Sequence, residues 1–282
     1  MSMWKRIVTA AILAPAFLLA LFYLPVIGVQ ILIGLTLVGV IWEAALLAGF
    51  RAPLNRYLFV SILIITGFVL VLLAPVTTLP DLYMIVAGLA GLWWLADIII
   101  LAGFSVERPG IYGTRTGRIL SISLVMLSTW LTINALLMQD HSSPLLLVYV
   151  LVMVWIADSG AYFAGRFLGS HKLAVHVSPG KTIEGVVGGV IAVVIYAWVF
   201  GSQLFHFDKG QMLIWLVLSI VASLISVVGD LNESALKRVM GKKDSGNIIP
   251  GHGGFFDRAD AITAAVPVFY FGWQIMDMGY VS

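Results

Sequence analysis

The 282-residue sequence contains no cysteine. That excludes disulfides, thiolate metal sites and cysteine nucleophiles together, and it fits a working face in a reducing compartment. Charge is also scarce. Asp, Glu, Lys and Arg make up 11% of the chain and 61% is hydrophobic, whereas a typical soluble domain is about 25% charged. At a mean hydropathy of +1.04 there is too little polar surface to cover a soluble globule. No internal repeat and no low-complexity tail is visible. His141, His171, His176, His206 and His252 are scattered, without zinc-site spacing, and no Ser/His/Asp arrangement stands out. Gly180-Lys181-Thr182 would suit a phosphate-binding loop, but the glycine that motif needs five positions earlier is Val175, which excludes it.

What the chain has in abundance is apolar runs of the length that crosses about 30 Å of hydrocarbon. They predict nine spans, roughly 7–24, 27–48, 58–74, 83–103, 119–138, 145–165, 183–204, 211–229 and 261–280. The expected fold is therefore all-α, a polytopic integral membrane protein of about nine transmembrane helices. Lys5 and Arg6 precede a first run too long for a cleaved signal peptide, which reads as a retained span. With the N-terminus in the cytoplasm, 15 of the 16 basic residues fall on cytoplasmic segments and only Lys209 falls outside. The positive-inside rule thus predicts a cytoplasmic N-terminus and an external C-terminus.

Two cytoplasmic loops, 166–182 and 230–260, are long and polar. The second holds ten of the chain's 30 charged residues. Positive-inside bias needs only Lys and Arg, yet this loop matches five bases with five acids: Asp230, Glu233, Asp244, Asp257 and Asp260. Asp257 and Asp260 are three apart and share a face if a helix starts here. Paired carboxylates suit a hard cation such as Mg²⁺, although one acid at a helix start is equally explained by capping. Asp230 and Asp158 lie at the ends of apolar runs, where an acid is costly and a functional candidate. Asp158, Tyr162 and Arg166 share a helical face, so a purely structural Asp158–Arg166 or Asp158–Tyr162 contact is the alternative. Glu43 and Asp97 also lie near span ends, with nothing around them to suggest chemistry. Lys237, Arg238, Lys242 and Lys243 add the fixed positive charge that a polyphosphate requires beside a metal. Ser178-Pro179, followed by Glu184, reads as a helix start, with Lys181 and Thr182 in the first turn, where free N–H groups favour anions. The run Gly160–Gly165 supplies small residues for close helix packing.

The order Ser234-x-Leu236-Lys237-Arg238-x4-Lys243-Asp244-x-Gly246-x-x-Ile249-Pro250-x-His252-Gly253-Gly254-Phe255-x-Asp257-Arg258-x-Asp260 resembles the signature of the phosphatidate cytidylyltransferase (CDP-diacylglycerol synthase) family. Ala259 departs from it, where a larger aliphatic residue is usual. Ala157-Asp158-x-Gly160-Ala161-Tyr162-Phe163-x-Gly165-Arg166 and Ser178-Pro179-x-Lys181-Thr182-x-Glu184-Gly185 resemble a second family block. The resemblance is detailed over about 155–270. It divides the chain into variable spans, 1–140, and a catalytic membrane region, 141–282.

The resemblance implies transfer of a cytidylyl group from CTP to phosphatidic acid, giving CDP-diacylglycerol and pyrophosphate for phospholipid synthesis. It implies Mg²⁺, with the number of cations open, and a homodimer in a bacterial-type inner membrane with the site facing the cytoplasm. The partners are membrane lipid and CTP, with no nucleic acid. Asp230, Asp257 and Asp260 would bind metal. Lys237, Arg238, Lys243 and Arg258 would meet phosphates. Ser178, Lys181, Thr182, Ser234, His252 and Asp158 complete the substrate-binding set. Two other readings are a cation-coupled transporter, which predicts acids near mid-membrane, and a CDP-alcohol phosphotransferase, whose aspartate signature is not found.

Overall fold

A computed structural model describes residues 15–73, 80–138, 144–205, 207–246 and 253–281. Among these, nine helices follow one another. They are α1 (15–23), α2 (Val26–Leu47), α3 (Pro53–Leu73), α4 (Pro80–Ala102), α5 (Arg115–Leu137), α6 (Leu145–Leu168), α7 (Ile183–Phe200), α8 (Lys209–Val239) and α9 (Phe256–Val281). Seven of them are long and apolar enough to cross a membrane. Their outer faces carry large exposed apolar side chains, among them Ile62, Ile65, Phe68, Ile99, Ile191 and Leu213. Water would not tolerate such a surface, and lipid requires it. The protein is an all-α polytopic membrane protein with one small exception described next.

Two predicted loops are more structured than the sequence suggested. Segment 166–182 begins as the last turn of α6 and then forms an antiparallel hairpin, β1 (Lys172–Ala174) with β2 (Ser178–Thr182). The expected helix start at Ser178 is displaced by four residues. Ser178–Thr182 is a strand, and Thr182 is the cap: its extended backbone (φ −130°, ψ 155°) places the side-chain oxygen to accept the Gly185 N–H. Segment 230–260 is only partly a loop. Helix α8 runs 31 residues, about 46 Å at 1.5 Å per residue, longer than the hydrocarbon core. Its C-terminal turns, from Asp230 to Val239, carry the first third of the charged stretch on a regular helix.

Small residues set the closest helix contacts. In α6 and α7 a methyl at Gly160 would come within 2.9 Å of the Gly188 carbonyl, and one at Gly189 within 2.8 Å of the Ala157 carbonyl. In α8 and α9 a methyl at Gly229 would meet Ala264 Cβ and the Asp260 carbonyl at 2.6 Å. The glycines are therefore the reason these backbones lie together. A buried aromatic cluster of Tyr149, Trp215 and Phe269 ties α6, α8 and α9 at the opposite end from the charged turns. Helix α9 packs against α4, α5 and α8, so the last helix joins both halves of the chain.

Candidate active site

Because α8 and α9 touch at Gly229, Asp230 and Asp260 are neighbours. The Lys181 ammonium, delivered by β2, sits 2.7 Å from Asp230 Oδ2. Asp158, on an open face of α6, lies within electrostatic reach of Lys181, Asp230 and Arg258. Ser234, one turn beyond Asp230, is 3.4 Å from Asp230 Oδ1, a long hydrogen bond. The two sequence blocks, 155–185 and 230–260, thus meet at one place. Arg238 fastens them, donating from Nε to the Val177 carbonyl at 3.1 Å, directly beside Ser178.

A second charged group adjoins the first. Lys237 Nζ donates to Glu233, a turn earlier on α8, and to Asp257 Oδ1 at 2.6 Å. Asp257 also accepts from the Ser245 N–H and the Gly254 N–H at 3.1 and 2.8 Å, and its Oδ2 lies 2.9 Å from the Ser245 hydroxyl. Asp257 and Asp260 lie ahead of the apolar run that begins at Ala261. Burial alone would raise the Asp257 pKa, but the bonds from Lys237 and Gly254 outweigh it and hold the carboxyl below its ordinary range. Asp260 is pushed the other way, by burial first and then by the charge of Asp230.

The site therefore gathers five carboxylates, Asp158, Asp230, Glu233, Asp257 and Asp260, against the ammonium groups of Lys181 and Lys237 and the Arg258 guanidinium. Glu233 Oε1 is buried and has no hydrogen-bond partner among the described residues. Among those residues no three acids or histidines converge into a finished cation cage. Hard oxygen donors in excess of positive charge, with Asp230 and Asp260 side by side, nevertheless fit a Mg²⁺-type ion.

The candidate residues divide clearly. Asp158, Lys181, Asp230, Ser234 and Asp260 come together, and Lys237 and Asp257 pair beside them. Thr182 is buried, its oxygen used as the α7 cap. Ser178 is half-buried on β2, and Lys243 is exposed on the turn after α8. His252 lies outside the described residues. On the face that Asp158 shares with Tyr162 and Arg166, Arg166 donates to the Tyr162 hydroxyl at 2.8 Å.

The sequence reading passed over two acids that belong to this scaffold. Asp97 is fully buried. It accepts from Tyr112, in a 3₁₀ turn (Gly110–Gly113), and from Asn232 Nδ2 at 2.9 Å, between Asp230 and Glu233 on α8. Burial and the adjacent Asp97 carboxylate drive the Tyr112 phenol well above its ordinary pKa, so it stays a donor. Glu43, also buried, reaches from α2 into the turn that precedes α9, where it accepts from the Ser245 hydroxyl and the Phe256 N–H. The cost of an acid inside an apolar run was the available signal for both.

Comparison with known proteins identifies the family. Residues 4–276 match the sequence model of the cytidylyltransferase family. A phosphatidate cytidylyltransferase of Pseudomonas aeruginosa is 39% identical over 266 residues, covering 94% of this chain and 94% of that protein. One from Haemophilus influenzae is 34% identical over 290 residues, covering 96% and 99%. One from Bacillus subtilis is 44% identical over 123 residues, covering 44% of this chain and 45% of that protein. With the match running nearly end to end, the chain belongs to the cytidylyltransferase family.

Proposed function

We propose that this protein transfers the cytidylyl group of CTP to phosphatidic acid, giving CDP-diacylglycerol and pyrophosphate for phospholipid synthesis. The observation that carries the reading is the junction of the two blocks: Lys181 on Asp230, with Asp260, Asp158 and Arg258 around them. A phosphate oxygen of the lipid attacks the α-phosphorus of CTP. The bond from that phosphorus to the bridging oxygen breaks, and pyrophosphate leaves. The nucleophile is already ionised at neutral pH, so no general base is required, in keeping with a site rich in charge and poor in histidine. Catalysis is then positioning plus neutralisation of phosphate charge.

Lys181, Lys237, Arg238, Lys243 and Arg258 supply that positive charge, and Ser178, Ser234 and Asp158 border the same space. Asp230 and Asp260 would hold Mg²⁺, which when bound would neutralise phosphate oxygens and polarise the α-phosphorus. Asp257 joins them only by exchanging its bond to Lys237. Thr182 acts by fixing the start of α7. His252, in the same signature, is assigned to substrate binding by its place in the sequence alone.

In this reading all nine helices cross a bacterial inner membrane, with the N-terminus and the site in the cytoplasm and the C-terminus outside. The catalytic machinery sits in 141–282 and the enzyme is a homodimer. The test is an assay of the purified protein with labelled CTP, phosphatidic acid and Mg²⁺. CDP-diacylglycerol and pyrophosphate should appear in equal amounts. No product, where a known enzyme is active in the same detergent, sinks the proposal.

A further inference from the structure

Glu43 is 1% exposed near the C-terminal end of α2, where its helical neighbours Ile41, Ala44 and Ala45 are apolar and equally buried. An acid in such a place is costly, and an aliphatic side chain would pack there without that cost. What Glu43 does is grip the signature turn. Its Oε2 accepts from the Phe256 N–H at 3.0 Å and from the Ser245 hydroxyl at 3.1 Å. The same hydroxyl lies 2.9 Å from Asp257 Oδ2 and accepts the Asp257 N–H at 3.3 Å. Glu43 Oε1 is buried against the turn without a hydrogen-bond partner among the described residues.

Two fixed glycines of the signature are explained by this carboxylate. A methyl at Gly246 or Gly254 would overlap it, and at Gly246 the three nearest atoms all belong to Glu43. The turn is bare because an acid from a distant helix fills the space a side chain would occupy.

We propose that Glu43 is a positioning residue for the cytidylyl transfer, a role that rests on the activity proposed above. Through Ser245 and the Phe256 N–H it fixes the start of α9, and with it the place of Asp257 relative to Lys237. Glu43 touches no substrate in this proposal. Its effect is on the geometry of the groups that do.

The test compares Glu43→Gln, which keeps size and an acceptor oxygen, with Glu43→Leu, which keeps size and loses the acceptor, in the purified full-length enzyme. Glu43→Leu should lower kcat about 100-fold with KM for CTP and phosphatidic acid nearly unchanged, the effect of a misplacement of about 1 Å. Glu43→Gln should keep most of the turnover. In a second comparison, Gly246→Ala should lower kcat and thermal stability in the wild type and cost nothing further on Glu43→Ala. Wild-type kcat in Glu43→Leu, equal loss in Gln and Leu, or the same Gly246→Ala penalty in both backgrounds overturns the proposal. Where Glu43→Leu does not give monodisperse protein, Ser245→Ala decides: a loss of kcat at unchanged KM supports the link, and wild-type kcat removes it. An inactive wild-type enzyme removes the proposed activity, and this role with it. An active wild type with an unaffected Glu43→Leu removes this role alone.

Discussion

Lys237 stands between two carboxylates of different origin, Glu233 on its own helix and Asp257 on α9, with its side chain 12% exposed and that of Glu233 1% exposed. Removing one partner of a buried ion pair leaves an uncompensated charge, which costs about 3–5 kcal/mol. Lys237→Met should therefore unfold at clearly lower temperature than the wild type. Adding Glu233→Gln should restore most of the stability, because the remaining Asp257 keeps its bonds from Ser245 and Gly254. Turnover should stay lost in both variants if the ammonium serves phosphate. A double variant that recovers stability and activity together would make Lys237 a purely structural residue. At this scale the sequence reveals the residues held by local spacing. Lys237, Asp257 and Asp260 sit in one signature, with Asp230 one turn ahead of it, and Lys181 sits in a second block. It does not reveal Glu43 or Asp97, whose partners lie 202, 213 and 135 positions away. An acid in an apolar run announces that something must compensate it, and only the fold says what.

Among elements, the contact that matters most to the site is α8 against α9 at Gly229. A side chain there meets Ala264 and the Asp260 carbonyl, neither of which can swing aside. The helices would have to part, and Asp260 would move from Asp230. Gly229→Val should lower stability by about 1–3 kcal/mol, the usual cost of overpacking, and lower kcat more than Gly229→Ala does. Gly91→Ala, with open space around the added methyl, is the control and should behave as wild type. Thermal unfolding and steady-state assays of the same preparations check both. A Gly229→Val enzyme with normal turnover would show that the Asp230–Asp260 spacing is not critical. Element identities were largely readable from apolar runs, but element ends were not. Hydropathy stops at Gly229 because Asp230 is charged, while the helix continues to Val239, since helical hydrogen bonding does not end where lipid does. Ser178-Pro179 carries the residue types of a helix start, yet the chain stays extended until Thr182, whose hydroxyl captures the Gly185 N–H.

For the whole molecule the governing quantity is the distribution of Lys and Arg, which places 15 of 16 on one side when the N-terminus is cytoplasmic. The described helices follow the predicted segments in order, and seven of them are long and apolar enough to cross a membrane. The missing cysteine makes their orientation easy to test. Any cysteine introduced is unique in the chain, so a membrane-impermeant maleimide reads one position at a time. Asp244 is exposed on the turn after α8, and Lys209 is exposed at the start of that helix, beside the capping box of Asp208 and Gln211. Helix α8 is long enough to put these two ends on opposite faces. In intact spheroplasts Lys209→Cys should label and Asp244→Cys should not, and permeabilised cells should label both. The reverse pattern would place the site on the outer face, away from cytoplasmic CTP, and would remove the proposed orientation. Labelling of both in intact cells would mean that α8 does not span at all.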